Sequence, residues 1–223
     1  MYKLDTHVHT KEISSCSRVE AREAVRLYKK AAYDGIVITD HYYQGYFETL
    51  PESSWEDKIN CFLRGYKIAK EEGDKLGITV LLGIELRFTE NPSDYLVFGI
   101  TEEFLVRYPE LYKLGVKNFR KLIEKEDILL FQAHPYRSTM VVADAQDLHG
   151  IEVYNGNPRQ NSRNDKAYSL AKEKGLLMSS GSDFHQVEDL ARGGMIFREV
   201  IKTSGELLRL LRENSALELI STI

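Results

Sequence analysis

Nine short apolar runs recur along the chain, and amphipathic stretches separate most of them. They are residues 2–6, "IVITD" 36–40, "ITVLLGIEL" 78–86, "YLVFGI" 95–100, "ILLFQAH" 128–134, "GIEVYN" 150–155, "LLMSSG" 176–181, "MIFREV" 195–200 and "ALELI" 216–220. Runs this short and this rich in β-branched and aromatic residues read as strands, and strands alternating with helices are the pattern of a parallel β/α protein. The intervening stretches carry helix signals. In "SRVEAREAVRLYKKAAYDG", 17–35, Ser17 and Glu20 have capping-box spacing and Gly35 closes the segment. Residues 55–76 place Ile59, Phe62, Leu63, Tyr66 and Ala69 at helical spacing, and 161–175 reads as a further helix ended by Gly175.

At 223 residues the chain is long enough for one well-cored barrel, and no linker, repeat or low-complexity tract divides it, so residues 1–223 are expected to form a single domain. A formal net charge of −4 supplies no global positive field to gather a nucleic-acid polymer or an anionic membrane. Neither partner is expected, and an anionic substrate must be held locally. Two cysteines, Cys16 and Cys61, are too few for a disulfide framework, and no apolar run reaches the length of a membrane span. A reducing cytoplasm is the expected location.

The histidines are placed unevenly. His7 and His9 follow the first run, Asp40 and His41 end the second, and Glu85 ends the third. His134 ends a later run, and Asp183 and His185 follow "LLMSSG". In parallel β/α folds the strand C-termini share one face where sites are built, so these residues should converge. Alternation along a strand puts both imidazoles of His7-x-His9 on one side, able to bind one ion. Glu85 and Asp183 can neutralise the charge, and a carboxylate can bridge two ions. Imidazole and carboxylate without a thiolate cluster suits zinc, manganese or iron. His149, in "DLHGIEV", lies apart and reads as a surface or turn residue.

In that order, "DTHVHT", "VITDHY", "GIEL", "QAHPYR", "GIEVYNG" and "SSGSDFH" closely resemble the PHP (polymerase and histidinol phosphatase) domain, from Asp5 to about Gly194. The resemblance implies a distorted, TIM-like (β/α)7 barrel with two or three divalent metal ions at the strand C-termini. Seven staves would leave some of the nine runs as edge pieces. It also implies a first ion held by His7, His9, Glu85 and Asp183, a second bridged by Glu85 and bound by His134, and a third on His41 and His185. Asp40 would orient His41 or ligate directly, orientation being the commoner arrangement.

Two places depart from the family. Many members supply a further ligand in the loop after His-x-His, where this chain has "KEISSCSR", and another histidine after the fourth strand, where it has "FGITEE". Cys16 fills the first place either as a thiolate ligand or as a packed loop residue, and packing is the expectation. Thr101 or Glu102 lies near the second.

Stand-alone members of the family usually hydrolyse phosphate esters, and a small phosphorylated metabolite is the expected substrate. A hydroxide bridging two ions would attack, while the ions clamp the phosphoryl oxygens. Candidate catalytic residues are Asp183 and His185, with His185 or a metal-bound water as general acid, together with Asp40. Arg137 and Arg192 lie beside ligand motifs, where a guanidinium can bind phosphate bidentately or simply form a rim salt bridge. Arg18 and Lys11 are weaker candidates for that role. Loops 42–56 and 136–147 are expected to shape the pocket, with the aromatic "HYYQGYF" as a lid. Two other readings compete. One is an amidohydrolase-like C–N hydrolase, disfavoured because no lysine ends a central strand; the other is a non-catalytic, metal-stabilised module.

Overall fold

The computed structural model of the chain describes residues 1–51 and 53–221. Its strands are β1 (Tyr2–Val8), β2 (Gly35–Ile38), β3 (His41–Tyr42), β4 (Thr79–Arg87), β5 (Asp94–Phe98), β6 (Leu129–Gln132), β7 (Gly150–Asn155), β8 (Leu177–Gly181), β9 (Gly193–Phe197) and β10 (Glu218–Ser221). All nine apolar runs form strands, so none was surplus, and the two-residue β3 adds a tenth. Hydrogen bonding orders the sheet β10-β9-β1-β2-β4-β5-β6-β7-β8, with β3 beside β4. The sheet curls into a nearly closed, distorted TIM-like barrel flanked by helices. A parallel bridge from Val8, at the end of β1, to Phe184, just past β8, helps to close it. Gly193 makes the closure possible, since a Cβ there would run into the carbonyl of Gly181.

The sheet is mixed, where an all-parallel one was expected: β1 pairs antiparallel with β9, and β5 runs antiparallel to both β4 and β6. Parallel strands need a crossover of about a dozen residues or more, and segment 88–93 between β4 and β5 is too short for one. The first residue of β5, Asp94, therefore lies beside the last residue of β4, Arg87, on the face where the other strands end.

The helices are α1 (Ala21–Lys30), α2 (Gln44–Glu48), α3 (Trp55–Phe62), α4 (Arg64–Leu76), α5 (Glu102–Arg107), α6 (Val116–Leu122), α7 (Asn164–Lys174) and α8 (Ser204–Arg212). Ala21, Ala24, Val25 and Tyr28 form the buried stripe of α1 at the spacing of one helical face. The helix starts later than its sequence signals suggest. Glu20 occupies the cap without a side-chain bond, the Glu12 carboxylate accepts from the Ala21 N–H, and Ser17 Oγ instead donates to the His185 carbonyl. The stretch 55–76 is two helices, because Leu63 (φ −78°, ψ 1°) leaves helical geometry between α3 and α4. At the barrel end away from the strand C-termini, α8 inserts Leu207, Leu208, Leu210 and Leu211 against Leu4, Phe98 and Leu129. Each such side chain contributes about 1.5–3 kcal/mol by leaving water. Among the described residues, no helix is long and apolar enough to cross a membrane.

The aromatic segment after β3 belongs to the core and forms no lid: Tyr42 and Phe47 are buried and pack on Phe62, Trp55 and Tyr112. His149 likewise differs from its surface reading. It is half-buried, and its Nδ1 accepts from the Leu130 N–H at 3.0 Å. Burial, followed by the nearby charges of Arg120 and Arg212, lowers its pKa to about 4. An unfolded histidine titrates near 6.5, so this group's contribution is present above about pH 6.5 and is lost as pH falls through 4. Urea unfolding should show a loss on the order of 2 kcal/mol from this residue between pH 7 and 4. His149→Gln, which keeps an acceptor but does not titrate, should remove that component; an unchanged pH dependence would refute the assignment.

Candidate metal centre

Alternation along β1 sends His7 and His9 to one side, with ring centroids 5.0 Å apart. Glu85, near the end of β4, reaches between four imidazoles. Its Oε1 lies 3.3 Å from His7 Nε2 and 3.0 Å from His134 Nε2, and its Oε2 lies 3.4 Å from His9 Nε2 and 2.7 Å from His41 Nδ1. Asp183 faces the same point, with Oδ1 3.5 Å from His7 Nε2 and 3.3 Å from His9 Nε2. His185 Nδ1 donates to the Asp183 carbonyl at 2.9 Å. The six positions named from strand ends, with His41, thus meet at one mouth of the barrel. His134 and Asp183 do so with left-handed backbones, φ 28° and 53°. Such conformations cost about 1–3 kcal/mol each and persist where the surroundings hold them, commonly at functional sites.

The rings are aimed by partners behind them. His7 Nδ1 donates to Glu152 Oε1 at 2.8 Å, and Glu152 Oε2 accepts from the His134 N–H and from Asn155 Nδ2. His9 Nδ1 lies 3.2 Å from Ser14 Oγ, whose own proton goes to Asp40 Oδ1 at 2.7 Å, so Ser14 accepts from the imidazole. Asp40 therefore orients His9 through Ser14, in place of the expected His41. Its carboxylate also binds the Thr10 N–H and hydroxyl, which leaves no direct metal-facing oxygen, and burial pushes its carboxyl up to about 6. Gly65 of α4 permits this approach, since a Cβ there would strike Thr10 and Asp40. The rings of His7 and His9 consequently turn Nε2 lone pairs inward.

Those two Nε2 atoms are buried without hydrogen-bond partners, and so is Glu85 Oε2, whose close contact with His41 lacks hydrogen-bond alignment. Burial would raise the Glu85 and Asp183 carboxyls. Neighbouring His7 and His41 hold Glu85, and Arg137 and His7 hold Asp183, well below the usual carboxylate range. Converging imidazole lone pairs and carboxylate oxygens are a donor set for divalent cations, and these residues fit such ions. Four triads bring their ligand atoms within 4.8 Å of one another: His7–His9–Glu85, His7–His134–Asp183, His9–His41–His185 and His41–Glu85–Asp94.

Around this cluster lies a cavity of about 460 Å³. Four arginines line it: Arg18, Arg87, Arg137 and Arg159. Arg137 donates through Nη2 to Asp183 at 2.6 Å and to Asn155 at 2.8 Å, and through Nε to Ser162 at 3.2 Å. Arg87 is held by Asp94, and Arg159 by Asp189. Ser138, Thr139 and Met140 form one wall, as expected of loop 136–147, whereas residues 42–51 and 53–56 contribute nothing to the lining. Lys11 pairs with Glu20 on the surface. Arg192 is not in this cleft: its Nε donates to the Glu188 carbonyl, and it borders a separate cavity beneath residues 153–165. Thr101 and Glu102 are also remote, because β5 runs away from the site; Thr101 caps α5 and Glu102 pairs with Lys67.

Sequence reasoning missed Glu152, Ser14, Asp94 and Arg87. A lone carboxylate in the middle of the buried run "GIEVYN" was a signal for Glu152, and the short β4–β5 connection was one for Asp94. Cys16, expected to be packed, is instead exposed at the rim, with Sγ 3.2 Å from His41 Nε2. Burial opposes ionisation of its thiol, and hydrogen bonds with His185 and His41 outweigh that, bringing it down to about 6.

The architecture recurs in solved structures. A two-domain protein from Bacteroides vulgatus containing a predicted PHP-like metal-dependent phosphoesterase superposes with a TM-score of 0.56 at 22% identity, covering 83% of this chain and 52% of that one. The chain thus spans about half the length of that relative. PsfC from Pseudomonas syringae gives 0.62 at 18% identity, covering 92% and 86%. An amidohydrolase from Chromobacterium violaceum with bound sulfate and no metal gives 0.58 at 16% identity, covering 93% and 96%. No curated protein matches by sequence. The model of the PHP domain matches residues 5–222, and with its ligand-bearing strand ends gathered as described, the chain belongs to the PHP domain family.

Proposed function

We propose that this chain, acting as one domain, hydrolyses a phosphate ester of a small metabolite, a nucleotide, sugar phosphate or histidinol phosphate, with two or three zinc, manganese or iron ions. The observation that carries the reading is Glu85, a single carboxylate within 3.4 Å of four imidazoles, the geometry of a group shared between cations. Divalent ions supply Lewis acidity and lower the pKa of a coordinated water. The protein's own part is orientation and charge. Glu152 and Ser14 fix the tautomers of His7 and His9, so that both lone pairs face the cleft. Asp183, Asn155 and Ser162 hold three of the Arg137 N–H groups, which leaves Nη1 for a phosphoryl oxygen. Arginine lining favours a phosphorylated substrate over a neutral amide, and among the described residues no lysine lines the cleft to bridge metals as an amidohydrolase would use one. The cavity suits a small molecule better than a nucleic-acid polymer, and two unpaired cysteines suit a reducing cytoplasm.

The purified protein should carry at least two metal equivalents by elemental analysis and release phosphate from members of a phosphorylated-metabolite panel. One ion or fewer, after reloading with each metal in turn, would count against the proposal. Ring-amide hydrolysis without phosphate release would favour the C–N hydrolase, and metal binding without any turnover would favour a structural module.

A further inference from the structure

We propose that Asp5 is a positioning residue of the metal centre: its buried carboxylate, fixed by Tyr28 of α1, holds the segments bearing His7 and Asp183 at the separation a shared cation needs. The assignment rests on the cation-binding reading above and deepens it, because Asp5 bonds main-chain N–H groups and a phenol rather than the imidazoles, and so acts through the ligands instead of among them.

His7 lies on β1 and Asp183 just past β8, yet these two strands share no ladder: β1 pairs with β2 and β9, and β8 pairs with β7. At the mouth their ends meet through a short exchange, the His9 N–H donating to the Phe184 carbonyl at 3.0 Å and the Phe184 N–H to the His7 carbonyl at 3.2 Å. Just below, side chains do the joining. Asp5 Oδ1 accepts from the His7 N–H at 3.1 Å and from the Ser182 N–H at 3.0 Å. One oxygen thus clips the backbone of one ligand to the residue immediately before the other. Thr6 Oγ1 adds a bond to the Ser180 carbonyl at 3.0 Å, and Gly181 admits the close approach, since a Cβ there would strike that of His7.

The second oxygen is fixed from the flanking helix. Tyr28 donates its phenol proton to Asp5 Oδ2 at 2.7 Å, and Ser182 Oγ lies 2.8 Å from the same phenol oxygen. Asp5, Tyr28 and Ser182 are all fully buried, and the Tyr28 ring packs edge-on against Phe184, the residue between Asp183 and His185. Burying a carboxylate is costly, and three donors converging on this one offset the cost in a way that also fixes its place. What the clip sets is the approach of Asp183 Oδ1 to the Nε2 atoms of His7 and His9, 3.5 and 3.3 Å away. Metal–ligand distances hold to within about 0.2 Å, so slack between β1 and the segment 182–183 would be felt as lost cation affinity.

Calorimetric titration of the metal-stripped full chain with zinc reads the effect directly. Removing a group that holds metal ligands in place weakens metal binding about 10–100-fold, so Asp5→Ala should bind zinc at least about tenfold more weakly than the parent. Asp5→Asn keeps Oδ1 for both N–H groups and can donate to the Tyr28 oxygen, so its affinity should stay within about tenfold of the parent. Leu208→Ala, at the other end of the barrel, should lower the denaturation midpoint and leave zinc affinity unchanged, which separates positioning from general loss of stability. A smaller loss in folded Asp5→Ala, an equal loss in Leu208→Ala, or an Asp5→Asn as impaired as Asp5→Ala would overturn this assignment and leave the proposed function standing. If Asp5→Ala does not fold, Tyr28→Phe decides: weakened zinc binding is expected, and parent affinity would overturn the assignment. A parent chain that takes up no ion would overturn both readings.

Discussion

Glu85→Gln is expected to lower turnover of the proposed phosphate ester at least about a thousandfold, roughly 4 kcal/mol of transition-state stabilisation. The carboxylate is fully buried and lies against His7, His9, His41 and His134, so its charge serves every cation those rings could hold. Glutamine has nearly the same shape, which separates the loss of charge from a loss of packing. The β4 ladder and the apolar residues beside Glu85 should be untouched, and the circular dichroism spectrum should match that of the parent. His7→Ala and Asp183→Ala should likewise abolish turnover with the fold largely intact. Activity within tenfold of the parent for any of the three, about 1.4 kcal/mol or less, would remove that residue from the metal centre.

The second large effect is on stability. A ligand that binds only the folded state stabilises it by about 4 kcal/mol at a thousandfold excess over its dissociation constant. The buried, unpartnered Nε2 atoms of His7 and His9 and the crowded carboxylates of Glu85 and Asp183 are groups whose burial is compensated when a cation sits among them. Chelation of the purified protein should therefore lower its denaturation midpoint, and adding zinc or manganese back should restore it. Glu85→Gln should respond only weakly to either treatment. A midpoint indifferent to chelator in a protein shown to contain metal would mean that the ions are not bound by these buried groups.

The strands were legible because a stave of this barrel is buried on both faces and so reads as an unbroken apolar run; β4 and β5 are examples. The ligands were legible because they sit where such runs stop. Strand direction was harder to see. Extrapolating an all-parallel pattern put Thr101 and Glu102 at the mouth, while the hairpin between β4 and β5 sends them to the opposite end and brings up Asp94. Arg192 was misplaced for a similar reason: adjacency in sequence to His185 does not fix the side on which a turn leaves its side chain, and this one leaves toward Glu188. Ser14 and Glu152 act through other residues, and no local pattern announces a hydrogen bond to a ring far along the chain. The capping-box spacing at Ser17 misled because the Ser17 hydroxyl is engaged by the His185 carbonyl.

The reversed β5 also sets which parts of this chain are free to vary in length. The hairpin 88–93 and loop 136–147 open on the side of the metal centre, and Ser93 ties the two together by exchanging hydrogen bonds with the backbone of Val141. Changing the length of either one would disturb its neighbour and the cavity wall between them. The long return from β5 to β6, residues 99–128, begins and finishes at the other end, while its middle reaches the hairpin: the Thr89 N–H donates to the Tyr112 carbonyl and the Val116 N–H to Glu90. Sequence could be added at its exposed last turn, residues 124–127, even a folded insertion, at the end away from the metal-facing atoms. The barrel thus separates a constrained rim from a permissive base, and the base is where a fusion partner or an epitope would be carried with least effect on chemistry.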